Sequence, residues 1–204
     1  MHGRYAVLGW GSLIWDLEIL EAHVELPWQM EHGPHLPMEF SRISAKRKMG
    51  LAVCLDHEFG QACPTHAVPS RRTEVGAVAD DLARRERAPV EMIGAVCHAT
   101  GTRVGRAEIV EIIADWCTQH GWTGAVWTDL RSNFAEISGQ VFSFDAAGAH
   151  LRTLTDEQLE EAVRYITCAP VATDTPLRRT LMQDPWWHEA MARFGFADRL
   201  AVIT

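Results

Sequence analysis

Two short stretches of this 204-residue chain carry residue types suited to chemistry on a small polar molecule. One is Gly9-Trp-Gly-Ser-Leu13, which interrupts an apolar run; the other is Leu82-Ala-Arg-Arg-Glu86, at the end of a helical pattern. Glycines after a short strand let successive backbone N–H groups converge on an anion such as a carboxylate, and Ser12 adds a hydroxyl donor. Each stretch also has a plainer reading. The glycines suit an ordinary turn that needs positive φ, and Glu86, set among Arg84, Arg85 and Arg87, suits a solvated ion pair of little energetic weight.

Other candidate chemistries fall away on spacing. Cys63-x-x-His66 has a ligand-like gap and Cys97-His98 are adjacent, but no second pair completes a tetrahedral set, so no metal is expected. Cys54, Cys97 and Cys117 lie in apolar runs, where a thiol packs rather than attacks. Ser12 does not fit a nucleophile elbow, because Ile14 stands where the second glycine would be. Gly9-x-Gly11 lacks the third glycine of a dinucleotide loop, and no G-x-x-x-x-G-K-[ST] stretch exists. The polar loop Asp129-Leu-Arg-Ser-Asn133 suits either substrate recognition through Asp129, Arg131 and Asn133 or Asx-turns made by the same residues.

Composition narrows the partners. A formal charge of −8 makes nucleic acid a poor partner, since phosphate binding needs clustered cations. Five widely spaced cysteines read as reduced, buried thiols. The apolar run near the amino terminus is broken by Gly9, Gly11, Ser12 and Asp16, and no run reaches the ~20 residues that span a bilayer. The expectation is a cytoplasmic protein with no membrane partner. Trp186-Trp187 suits core or a dimer contact, and the oligomeric state stays open.

The elements that must position these residues follow from periodicity. Strands are expected at Tyr5–Leu8, from Phe40 to Arg47, at Met49–Asp56, Ala62–Val68, Ile93–Ala99 and Gly124–Thr128, with the second and third pairing across Lys46-Arg47-Lys48. Helices are expected over about 74–87 and 104–120, the latter closed by Gly121. Thr155-Asp-Glu-Gln158 forms a capping box, and Thr175-Pro176 and Asp184-Pro185 each place a cap before a proline at the first helical position. Strands first, then alternation, then helices implies an α+β fold with a mixed sheet or small barrel.

Together the two stretches resemble the γ-glutamylcyclotransferase-like family. That family runs a first strand into a Tyr-Gly-Ser-Leu loop, matched here by Trp10-Gly11-Ser12-Leu13, and carries a catalytic glutamate in a Leu-x-x-x-Glu segment, matched by Leu82 to Glu86. Leu36 to Ser44 is similar to the strand that follows the first loop. The likeness covers roughly the first 100 residues and departs at Trp10, usually tyrosine, and at Arg87, usually glycine. It implies an α+β fold, a small mixed β-barrel flanked by helices, with a core over 1–145 and a helical C-terminal extension over 146–204 packed on the same domain. It further implies metal-independent, cofactor-free conversion of a small-molecule γ-glutamyl amide or amine to 5-oxoproline and a free amine or amino acid. Glu86 would be general base and acid, with its arginine neighbours turned away. Trp10, Gly11, Ser12 and Leu13, with Asp129 and Asn133, would hold the substrate. The alternatives are an amidase, hydrolase or acyltransferase on the same scaffold, or a non-catalytic small-molecule-binding module.

Overall fold

The computed structural model describes residues 3–199. It is an α+β protein with two sheets, and its contacts divide it into two compact units of discontinuous sequence. The first comprises the segment up to Leu36 together with Pro64–Leu130; the second comprises Pro37–Cys63 and the chain from Arg131 onward. The expected division at 145/146 falls inside a helix of the second unit, Phe144–Thr153.

In the first unit β1 (Tyr5–Gly9) lies within a five-stranded mixed sheet. It pairs antiparallel with β5 (His66–Pro69) and parallel with β8 (Gly124–Thr128), which continues antiparallel to β6 (Ile93–Cys97) and then β7 (Thr102–Val104). Helix α1 (Val75–Glu86) covers one face. Val78, Ala79, Leu82 and Ala83 recur at helical spacing and pack on Val7, Val68, Ile93, Ala95 and Val126, which alternate along their strands onto that same face. The opposite face presents Trp127, directly across from Gly94 on β6; a side chain there would meet the indole at 2.1 Å, so glycine is what lets the ring lie flat on the sheet. Helix α2 (Ala107–His120) packs on β6 and β8 and ends, as expected, at Gly121 with φ 68°.

In the second unit β2 (His35–Ser44) is flanked by β3 (Gly50–Leu55) and β4 (Gln61–Pro64). The expected β2–β3 pairing across the basic turn is present, with Lys48 and Met49 at φ 50° and 68°. Five helices follow: α3 (Phe134–Ser138), α4 (Phe144–Thr153), α5 (Asp156–Cys168), α6 (Pro176–Leu181) and α7 (Pro185–Arg193). The capping box of α5 and the side-chain caps of Thr175 and Asp184 form as their sequence patterns predict. Trp187 is fully buried.

No closed barrel forms among the described residues, which corrects the expectation drawn from the family likeness. The run expected as one strand over Ala62–Val68 breaks at Thr65, so that β4 and β5 belong to different sheets. At the far edge β7 is three residues long and mostly exposed, which leaves no strand to close onto.

No described helix is long and apolar enough to cross a membrane.

Candidate functional site

β1 ends at Gly9, where a side chain would sit 2.6 Å from the Trp28 ring. Trp10 is extended and buried, and Gly11 takes φ 57°, the left-handed region that glycine enters without a steric penalty. A short helical turn, Gly11–Ile14, follows; the N–H groups of Trp15 and Asp16 donate to the Ser12 carbonyl at 3.2 and 2.9 Å. The Leu13 side chain joins the core beneath α1. The Trp10 indole nitrogen makes no hydrogen bond among the described residues.

Glu86 is the last residue of α1, and its side chain keeps 16% exposure. The helix stops there because Arg87 adopts φ 54° and returns its N–H to Arg84 at 3.2 Å. Arginine thus occupies the left-handed capping conformation usual for glycine. The orientation of α1 is fixed at Asp81, whose nearly buried carboxylate accepts from Arg72 Nε at 2.6 Å and Nη2 at 3.1 Å, with His23 at 3.7 Å. Such bidentate pairing constrains angle as well as distance.

Arg85 joins the two stretches. Arg84 and Arg87 are exposed, as expected, but Arg85 points inward with 1% side-chain exposure, a correction to the expectation that all three turn away. Its guanidinium donates to Glu86 Oε1 at 2.7 Å, to Ser12 Oγ at 3.4 Å, and through both Nε and Nη2 to the Asp16 carbonyl. One buried cation therefore ties the Gly11–Ile14 turn to the Glu86 carboxylate. Glu86 Oε2 makes no hydrogen bond among the described residues. The expectation that Arg85 turns away follows from giving Glu86 the inward position that the family likeness implies, whereas the helical spacing alone sets Arg85 on the same side as Val78 and Leu82.

The other predicted residues have structural engagements. Asp129 accepts from the Arg106 backbone N–H at 3.1 Å, from its Nε at 3.0 Å and from Trp127 Nε1 at 3.4 Å, which anchors the start of α2. Asn133, in the second unit, accepts from the Ile43 N–H at 2.8 Å and donates to the Ile43 carbonyl at 3.0 Å, in the manner of a neighbouring strand. Arg131 gives its carbonyl to Arg42.

Among the described residues no group of three His, Cys, Asp or Glu side chains could hold a metal ion. Burial pushes the thiols of Cys54 and Cys117 up to about 12 and that of Cys63 up to about 11, so these stay protonated and pack. Cys97 differs: burial raises its thiol, but hydrogen bonds from Thr100, Tyr5 and the backbone outweigh this and bring it below the ordinary value. It is nonetheless 1% exposed, against Tyr5 in the core.

Comparison of the chain with protein-family models, with curated proteins and with solved structures finds no match.

Proposed function

We propose that this chain is a γ-glutamylcyclotransferase-like enzyme, which cleaves a small γ-glutamyl amide or amine by intramolecular aminolysis. The observation that carries the reading is the Arg85 bridge. Two motifs joined by a contact 73 residues apart in sequence, each weak alone, share one buried guanidinium, and a carboxylate oxygen beside it makes no hydrogen bond among the described residues.

In this reaction the substrate α-amine attacks its own γ-carbonyl carbon, a C–N bond forms, and the bond to the leaving nitrogen breaks. An ammonium loses two protons in becoming the lactam N–H, and the leaving nitrogen gains two in becoming an ammonium, so no net proton is exchanged. Glu86 carries these protons in turn through Oε2, while Arg85 fixes its carboxylate in place. Because the nucleophile is tethered, most of the acceleration comes from holding the attack geometry, and proton transfer adds about 10²–10⁴-fold. The backbone at Gly11, Ser12 and Leu13 serves the substrate carboxylate; the positive φ of Gly11 supports this, since a change of sign in φ suits a concave run of amides.

A binding module without turnover is the second reading, favoured by the same ion pair, since a carboxylate gripped at Oε1 also suits static recognition of an amine. Incubation with a panel of γ-glutamyl amides and amines, followed by mass spectrometry in ¹⁸O-water, tests these readings. Unlabelled 5-oxoproline is the expected product. Labelled glutamate would identify a hydrolase, and ligand binding without product would identify the binding module.

A further inference from the structure

Among the described residues of the first unit, the Trp28 Nε1 and His66 Nε2 donors are buried with no acceptor, whereas Arg106 Nη2, which also lacks a hydrogen bond, has the Asp129 carboxylate at 2.9 Å. His66 is 0% exposed, and its Nδ1 accepts from the Glu31 N–H at 2.8 Å. A ring nitrogen that accepts carries no proton, so the neutral imidazole holds its proton at Nε2. Burial also depresses the His66 pKa, which keeps the ring neutral.

Strand pairing brings the two residues to one region of the sheet, since Gln29, next to Trp28, bridges to Ala67, next to His66. His66 on β5 lies directly across from Gly9 on β1, and directly opposed residues project to the same face. The side-chain direction of Gly9 leads straight to Trp28, whose Cη2 and Cζ3 would be 2.6 and 3.0 Å from an added Cβ. Val7 and Val68, two residues before Gly9 and two after His66, share that face under α1. His66 thus stands across from Gly9, and the benzo edge of the Trp28 ring lies against it, at the residue that leads into the Trp10–Leu13 turn. Native interiors pair nearly all such groups, and a donor taken from water without an acceptor destabilises the fold.

We propose that Trp28 Nε1–H and His66 Nε2–H form an acceptor-binding pair that takes an amide carbonyl oxygen of the substrate. An uncharged acceptor suits them because both donors are neutral and the site is dry, so burying a carboxylate there would cost more desolvation. The proposal rests on the γ-glutamyl reading only for which oxygen is bound: the γ-carbonyl, which gains negative charge as the amine attacks. Neutral donors fixed in advance around that oxygen stabilise the charge without reorganising. Trp28 is half-buried and its sequence neighbours Leu26 and Met30 are exposed.

The test is titration of ¹⁵N-labelled protein with L-glutamine, which carries a γ-carboxamide, and in parallel with L-glutamate. With glutamine, the Trp28 indole and His66 ring N–H resonances are expected to move downfield. Trp28→Phe and His66→Asn, the latter retaining an acceptor for the Glu31 N–H, are expected to weaken glutamine binding about tenfold or more. Trp28→Phe should also raise the melting temperature, because it removes an unpaired donor; a merely structural indole would not combine that gain with lost affinity. Absence of any shift in the unsubstituted protein, unchanged affinity in both variants, or a larger response to glutamate than to glutamine would each overturn the assignment. If glutamine binding depends on both N–H groups but no γ-glutamyl amide is turned over, the enzymatic reading fails and the pair stands. If turnover occurs and ignores both substitutions, the pair fails and the enzyme stands.

Discussion

Each compact unit sets a glutamate and a buried arginine at or beside its core, and the two units handle them in opposite ways. In the second unit Glu39 on β2 is fully buried and accepts from the N–H groups of Phe40 at 2.7 Å and Leu177 at 3.0 Å. Arg178 on α6 spends its guanidinium on the carbonyls of Pro170, Thr173 and Ala169, at 2.7 to 3.0 Å. Both groups are held mainly by backbone, Glu39 with a further hydrogen bond from the Thr175 hydroxyl, while Arg178 Nε has no hydrogen-bond partner among the described residues; their work is to clasp α6 to β2 and to close the loop before it. In the first unit Glu86 and Arg85 are matched to each other, and the carboxylate keeps contact with solvent. A group fully buried and held mainly by backbone is closed off from a ligand. A charge held by one partner, at the rim of a buried contact, is not.

Substitutions at the contrasted residues should separate these roles. The largest effect is expected from Glu86→Gln, which keeps the shape of the carboxylate and removes its proton chemistry. Formation of 5-oxoproline should fall about 10³-fold with the melting temperature nearly unchanged. Next is Arg85→Met, expected to cost about 3–5 kcal/mol in chemical denaturation, because a nearly buried carboxylate loses its cation and the Ser12 turn loses its tie to α1. Activity should fall with it.

The pH dependence of stability should expose Glu39. Burial, with the nearby Asp56 carboxylate adding to it, pushes its carboxyl up to about 7, although the hydroxyl of Thr175 and the N–H groups of Leu177 and Phe40 act to lower it. The folded protein therefore holds a proton that the unfolded chain has already lost. Stability is fully present below the ordinary carboxylate range and declines as pH rises toward 7, by about 3 kcal/mol in all. Thermal melts between pH 4.5 and 7.5 should show that decline, and Glu39→Gln should flatten it. The smallest effect belongs to Arg87→Gly, expected to stabilise by about 1 kcal/mol because glycine takes the φ of 54° without steric cost, against a minor loss of the exposed Glu18 pair at 3.3 Å.

What was legible in the sequence was local. The periodicity around Leu82 and Ile113, the cap at Thr155 and the proline starts at Pro176 and Pro185 each report a preference of a few neighbouring residues, and each forms. The helices Phe134–Ser138 and Phe144–Thr153 were missed because short helices give weak periodic signals and Gly148 lowers the propensity of the second. Nothing local distinguishes Glu39: Met38, Phe40 and Ser41 around it are also buried, and the register shift between Glu39 and Arg42 removes the in-and-out alternation that would mark it. The same holds for the candidate site. Glu86 and the glycine turn could be picked out by residue type, whereas Arg85, Trp28 and His66 take their meaning from strand register and from a contact spanning 73 residues.

The most direct test of the central claim, that the Arg85-held Glu86 carboxylate performs the proton transfers, is the rate of 5-oxoproline formation from a γ-glutamyl amide by the native protein and by Glu86→Gln under identical conditions. Conversion by the native protein, reduced about 10³-fold in the variant, is the predicted result. Equal rates in the two proteins would contradict the account.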